Sequence, residues 1–360
     1  MEKTAQTPSE RQAGLIVRER EPLNLEYPFD RLSELFTPND LFYIRSHFKV
    51  PKLKAESYEL KIEGAVEHPL SIGYSELRKM EPVTCPATLE CAGNGRVFLT
   101  PQVEGAQWQL GAVSTANWTG VPLSALLRRA GPAQTACEII FEAADKGIPR
   151  KKPIPPGETR YARSIPVAKA GDVLIAYAMN GEDISADHGF PLRAIVPGYY
   201  GMASVKWLTH IRVVTEPFKG YWQTTDYAYW DYVGENPVRL ALSTVALKSA
   251  IARPGMRELI PAGETYTVFG VAWGGEVEIE RIEVTTDGGG RWQPATFLDP
   301  PRAFLWRRWR FLWQAPNEPG IYTLKSRATD SRGCTQPQEH DERFGPYVIH
   351  HTIAIEVMVR

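Results

Sequence analysis

The sequence predicts an α+β protein, with a mixed α/β domain over residues 38–240 followed by a β-sandwich over 241–360. Three observations predict it. The chain of 360 residues is long for one core and suits more than one domain. Up to about residue 240, strand-like runs alternate with helical punctuation. Beyond that point strand signals continue with almost no helical period, as in an all-β sandwich.

The elements follow in order. Residues 1–37 are rich in charge, with Pro8, Pro22 and Pro28, and read as an extended N-terminal arm. Tyr58 to Ile62 alternates at period two and predicts a strand. Ser75 to Met80 predicts a short helix, and Val83 to Leu89 a strand running into a turn at Cys91. Pro122 at the start and Gly131 just past the end punctuate a helix over Leu123 to Ala130. Glu138 to Phe141 and Val173 to Ala178 predict buried strands, the second closed by an Asn180-Gly181 turn. In the second domain, Ile282 to Val284 alternates and stops at Asp287-Gly288-Gly289-Gly290. Ile353, Ile355, Val357 and Val359 alternate with Thr352, Ala354, Glu356 and Met358, the pattern of a half-buried strand.

Bulk properties narrow the partners. A net charge of −1 gives nothing global to attract nucleic acid or an anionic membrane, so any anion site is local. Cys85, Cys91, Cys137 and Cys334 show no paired metal-ligand spacing, and four scattered cysteines suit a reducing compartment. The first twenty residues lack the apolar core of a signal peptide and carry no twin arginine. A cytoplasmic protein is expected, periplasmic only if an export signal has been removed. The apolar run Val173 to Met179 is far too short to span a bilayer.

Five clusters carry chemistry. In Leu89-Glu90-Cys91-Ala92-Gly93-Asn94-Gly95-Arg96 a cysteine sits on a small-residue turn with an arginine five residues on. Taken alone, such a cysteine is ordinarily a small buried hydrophobe. A thiolate there is also a soft metal ligand, and a nearby cation favours the thiolate. Phe42-Tyr43-Ile44-Arg45-Ser46-His47 offers the planar fork of Arg45 to an oxyanion. Asp187-His188-Gly189-Phe190-Pro191-Leu192-Arg193 is a shaped loop whose His188 and Arg193 can grip a phosphate or the edge of a heterocycle. Ser204-Val205-Lys206 can hold a phosphate through backbone and ammonium groups. Tyr221 to Trp230 is dense in aromatics without helical spacing, which suits a pocket wall or a packing patch between domains. His340, His350 and His351 show no spacing that fixes a metal.

Taken together these motifs resemble the sulfite oxidase family of molybdenum enzymes, stand-alone form without a haem domain. The resemblance is carried by Leu89 to Asn94, Leu174 to Glu182, Asp187 to Arg193, and Ile195 through Gly198 to Leu208, in the family's order and near its spacings. Val245 to Ser249, Val271 to Gly275 and Val284 to Trp292 resemble the family's immunoglobulin-like dimerisation domain, which predicts a homodimer through the C-terminal domain.

The resemblance implies a molybdenum–molybdopterin cofactor, with Cys91 as the metal's protein ligand. It implies cofactor contacts at Phe42, Tyr43, Ile44, Arg45, Ser46, Asp145, His188, Arg193, Ser204, Val205 and Lys206. It places Arg45, Arg96, Trp108 and Tyr227 in the substrate-anion pocket, with Arg343 as the arginine expected from the second domain. The implied reaction is oxygen-atom transfer, first of all oxidation of sulfite to sulfate, with electrons passed to oxygen or an external redox carrier. Arginines around Tyr227 are expected to favour its ionised form. Gly95, where family members commonly carry another arginine, and Glu104, where vertebrate members have a lysine, make the approach less positive. They leave open another oxo-transfer substrate such as nitrate or a sulfoxide. A non-catalytic cofactor-binding protein is the remaining alternative. Neither a haem module nor a flavin domain is expected, nor any nucleic-acid or membrane partner.

Overall fold

The computed structural model describes residues 14–360. Local sequence signals account for much of the first domain. The helix Leu123–Ala130 starts after Pro122 and stops at Gly131, whose φ of 67° is a left-handed conformation that glycine adopts readily. It buries Leu123, Leu126, Leu127 and Ala130, the i, i+3, i+4, i+7 stripe of an amphipathic helix. Each such leucine contributes about 1.5–3 kcal/mol through burial. The predicted helix near Ser75 is a single turn, Tyr74–Leu77. These are the only α-helices among the described residues.

Strands do most of the building. Val83–Glu90 pairs antiparallel with Val113–Pro122 over its whole length, from Val83 opposite Gly120 to Glu90 opposite Val113. This ladder sets Cys91 at a fixed strand end. Leu174–Met179, buried throughout, pairs with the other edge of Val113–Pro122 and with Arg193–Ile195. A second five-stranded sheet runs Leu70–Gly73, Glu59–Gly64, Leu208–Val214, Glu138–Gly147, Thr159–Pro166. Glu138–Gly147 is longer than the predicted Glu138 to Phe141, because pairing with Thr159–Pro166 carries it on through polar residues.

The predicted arm lies partly outside the described residues. Its described part supplies Ile16–Glu19 and Asn24–Glu26 to a three-stranded sheet that Ile44–Arg45, beyond the arm, completes. Asn24 and Glu26 are fully buried there, and both are hydrogen-bonded.

After the hairpin Ala228–Val233/Asn236–Ala241 come a four-stranded and a five-stranded sheet. Their inner faces bury Trp273, Trp309, Val284 and Leu324. In Ile355–Val359 the alternation holds as predicted: Ile355, Val357 and Val359 are buried, Glu356 and Met358 exposed. The sandwich docks on the Cys91 region through backbone bonds, Val348 to Ala92 at 2.8 Å and Thr88 to Phe304 at 2.9 Å. No helix among the described residues is long and apolar enough to cross a membrane.

Candidate functional site

Cys91 leaves its strand onto a turn closed by Asn94 N–H donating to the Cys91 carbonyl at 2.9 Å. Its side chain faces a cavity holding about 650 Å³ of empty space, open solvent at the mouth included. Phe42, Tyr43, Arg45 and Ser46 line one wall. Asp145, His188 and Arg193 line another, with Ser204, Lys206 and Tyr227 completing the ring. Six separate stretches of sequence therefore meet at one place.

Each stretch is held by local bonds. The Ser46 N–H donates to Asn24 Oδ1 at 2.9 Å, which ties the Arg45 segment to the N-terminal strand. Arg193 clamps the loop before it and the loop beyond it, donating to the His188 carbonyl at 2.8 Å and the Ser204 carbonyl at 3.0 Å. Lys206 donates to Ser46 Oγ at 3.1 Å and to the Asp187 carbonyl at 2.8 Å. Gly189, at φ 112°, lets these groups close in: a Cβ there would stand 3.0 Å from Lys206 Cβ.

Five predicted residues take other positions. Ile44 and Val205 point into the hydrophobic core, so only their backbone can face a ligand. Trp108 is fully buried beside the cavity, among Cys91, Ala106 and Ala112, and does not line it. Arg96 is buried too. Its guanidinium passes beside Gly93 and Gly105, where any side chain would collide with it, and donates to the Ala106 carbonyl at 2.8 Å and the Pro346 carbonyl at 3.1 Å. Arg343 does not reach the cavity. It is half exposed and pairs with Asp231 at 3.1 Å and Asp341 at 2.6 Å, so two surface carboxylates hold it away. The predicted charge changes sit apart as well. Glu104 is exposed and outside the lining, while Gly95 has φ 97°, which an arginine would adopt only with strain.

Sequence reasoning passed over His47, Tyr161, Arg163 and Met202. His47 Nε2 lies 2.6 Å from the Tyr227 hydroxyl, and its ring stacks on Tyr161 at 4.6 Å. The signal was the Arg45-Ser46-His47 alternation, which in extended chain sends residues 45 and 47 the same way.

Burial sets the protonation states. Burial pushes the Tyr227 phenol up; Arg45 pulls it down but is outweighed. The expectation of a phenolate favoured by arginines is therefore corrected: removing the charged form from water costs more than the nearby cations return. His47 is held well below its ordinary range by burial, then by Arg45, Lys206 and Arg163. With both groups neutral they share one hydrogen bond, whose direction follows the tautomer of His47: Tyr227 donates when Nε2 is bare. Burial lowers Lys206 to about 7, with repulsion from Arg193 adding to it, and raises Asp145 to about 6.

Among the described residues no three His, Cys, Asp or Glu side chains stand together as a metal cage. A metal at Cys91 would need its other ligands from a bound cofactor. The donor set fits a phosphate-bearing heterocycle. Asp145 Oδ1 and Arg193 Nε are buried with no protein partner, and an unpaired buried polar atom is costly unless a ligand meets it. Arg45, Arg193 and Lys206 bring positive charge to the same cavity.

Residues 47–222 match the oxidoreductase molybdopterin binding domain, and residues 239–344 the Mo-co oxidoreductase dimerisation domain. Sulfite oxidase of Gallus gallus is 37% identical over 350 residues, which cover 91% of this chain and 74% of that protein. Mitochondrial sulfite oxidase of Homo sapiens is 35% identical, with 91% of this chain aligned to 62% of its length. A nitrate reductase of Hordeum vulgare is 33% identical, 89% of this chain covering 39% of it. The sulfane dehydrogenase SoxCD from Paracoccus pantotrophus superposes with a TM-score of 0.80 at 25% identity, over 99% of this chain and 86% of that one.

Proposed function

Because this chain belongs to the sulfite oxidase family of molybdenum-cofactor oxidoreductases, we propose that it oxidises sulfite to sulfate at the cavity beside Cys91. The observation that carries this reading is one cavity that joins a buried thiol, a phosphate-type cradle and an arginine–tyrosine–histidine anion wall. Cys91 Sγ would hold the metal. His188, Arg193, Ser204, Lys206 and Asp145 would hold the pterin, with backbone support from the Phe42 to Ser46 segment. When bound, the molybdenum cofactor supplies two-electron oxygen-atom transfer.

The chain's own groups supply binding and proton control. Arg45 draws the anion in and stabilises charge on its oxygens. Arg96, fixed by its two carbonyl bonds, adds field from behind the Cys91 turn. Conversion of sulfite and water to sulfate releases two protons and two electrons. Tyr227 and His47 form a hydroxyl–imidazole pair in the lining. In the tautomer that leaves Nε2 bare, Tyr227 donates to His47 and the pair can relay a proton from the cavity. The electrons leave to oxygen or an external carrier. The chain acts as a homodimer through its second domain, in line with the dimerisation-domain match.

The test is molybdenum content by mass spectrometry, together with sulfite-dependent ferricyanide reduction by the purified chain. Stoichiometric metal with sulfite turnover is expected. Metal without sulfite turnover contradicts the substrate. The nitrate reductase relatives support nitrate as the second reading, and assay with nitrate and a reduced dye separates the two.

A further inference from the structure

The anion pocket was expected to draw one arginine from the second domain, and Arg343 is held at the surface instead. A different arginine stands behind the pocket wall. Arg163 lies on the strand Thr159–Pro166, two residues from Tyr161, so the two side chains share a face. Tyr161 lines the cavity and stacks on His47. The Arg163 guanidinium lies 5.9 Å from the centre of the Tyr227 ring.

Arg163 is only 2% exposed. Its Nη1 donates to the Trp222 carbonyl and its Nη2 to the Leu242 carbonyl at 2.6 Å, while its Nε has no partner. Both bonds go to neutral oxygens, and among the described residues Arg163 forms no ion pair. Asp226, the carboxylate that bears on it, also serves other groups: Tyr347 donates to it at 2.7 Å and Lys151 pairs with it at 3.2 Å.

Away from the cavity the chain pairs its buried cations, Lys248 with Glu90 and Lys169 with Asp172 and Glu276. Around the cavity Arg163 joins Arg96 and Arg193, which likewise donate to carbonyls and form no ion pair among the described residues. Desolvating a charge costs several kcal/mol when no opposite charge compensates. A buried arginine whose fork meets only carbonyls keeps its field for whatever enters next door. The groups between it and the cavity are Tyr161, Tyr227 and His47, all held neutral by burial. None of them screens that field with a charge.

We propose that Arg163 is a specificity-determining residue for anionic substrate, its buried positive charge acting through the Tyr227–His47 wall to favour an oxyanion in the cavity. It supplies from the first domain the charge expected of a second-domain arginine. The identity of the anion as sulfite rests on the function proposed above; the anion preference itself does not.

The test uses holoenzyme carrying Arg163→Met, Arg163→Gln or Arg163→Lys. Steady-state kinetics give KM and kcat for sulfite, and calorimetry gives Kd for sulfate without turnover. Arg163→Gln keeps donors for the two carbonyls, so a neutral variant is available if Arg163→Met does not fold. Loss of the charge raises KM and the sulfate Kd by about tenfold or more and changes kcat by less than about threefold, and Arg163→Lys retains most of the affinity. A sulfate Kd within about twofold of the parent in the neutral variants overturns the proposal. So does an Arg163→Lys as damaged as Arg163→Gln, since a structural role would treat them alike. If the parent binds sulfate through Arg163 yet does not oxidise sulfite, the proposal stands and the sulfite assignment falls.

Discussion

On one side of the Cys91 turn, Lys248 reaches from the sandwich to Glu90 at 3.1 Å and to the Asn94 carbonyl at 3.2 Å. The other Glu90 oxygen accepts from the Trp273 indole at 2.8 Å, and Asn94 Nδ2 donates to the same carboxylate at 3.0 Å. Lys248 and Glu90 are 1% and 3% exposed, and each charge is answered within the protein. On the other side, Arg45, Arg193 and Lys206 face the cavity, with Arg163 behind its wall, and none of the four forms an ion pair among the described residues. The same short turn thus separates a satisfied network from an unsatisfied one. The satisfied side fixes Cys91 in place across two domains. The unsatisfied side is left for a ligand to complete.

Breaking the satisfied side has the largest effect. Lys248→Met strands the Glu90 carboxylate in the core and lowers the free energy of unfolding by about 3–5 kcal/mol in denaturant titrations. A loss below about 1 kcal/mol would show that the pair does not lock the turn. On the open side, Tyr227→Phe removes the hydroxyl paired with His47 and lowers kcat by about a hundredfold. An unchanged kcat would remove the pair from proton transfer. Arg45→Gln removes a charged contact to the anion and raises KM by about tenfold, with stability little altered. If KM stays put while stability falls, Arg45 belongs with the structural side.

The histidines give a smaller, graded effect. Burial holds His47 well below the ordinary 6.5 and lowers His351 to about 4. As pH falls below 6.5 the unfolded chain takes up protons on these groups while the folded chain does not. Their contribution is therefore present above 6.5 and is lost as pH falls toward 4. Thermal melts from pH 7 to pH 5 are predicted to show a falling midpoint, and a flat profile contradicts the assignment. The smallest effect is Arg343→Ala, because exposed ion pairs screened by water add little to stability. It leaves KM for sulfite unchanged; a clear rise would return Arg343 to the pocket.

Legibility in the sequence follows the same division. Where burial is apolar, residue pattern is enough: Pro122 and Gly131 mark the helix Leu123–Ala130, and alternation marks Ile355–Val359. Motif residues that present side chains to the cavity, such as Cys91, His188, Arg193 and Lys206, were also readable. Polar residues buried by partners far along the chain were not. Asn24 and Glu26 carry no apolar signal, yet they are fully buried because loop and strand N–H groups find them. Arg163 is silent for the same reason, its burial resting on the carbonyls of Trp222 and Leu242. Arg343 misled because a charged residue near the expected position cannot reveal that Asp231, more than a hundred residues earlier, captures it.

X-ray absorption at the molybdenum edge of the purified protein, parent against Cys91→Ser, shows whether Cys91 binds the metal. The variant is expected to lose one sulfur neighbour at the metal, together with sulfite turnover, while its unfolding midpoint stays close to that of the parent. An unchanged count of sulfur neighbours, or retained turnover, would contradict Cys91 as the ligand and with it the reading of the cavity.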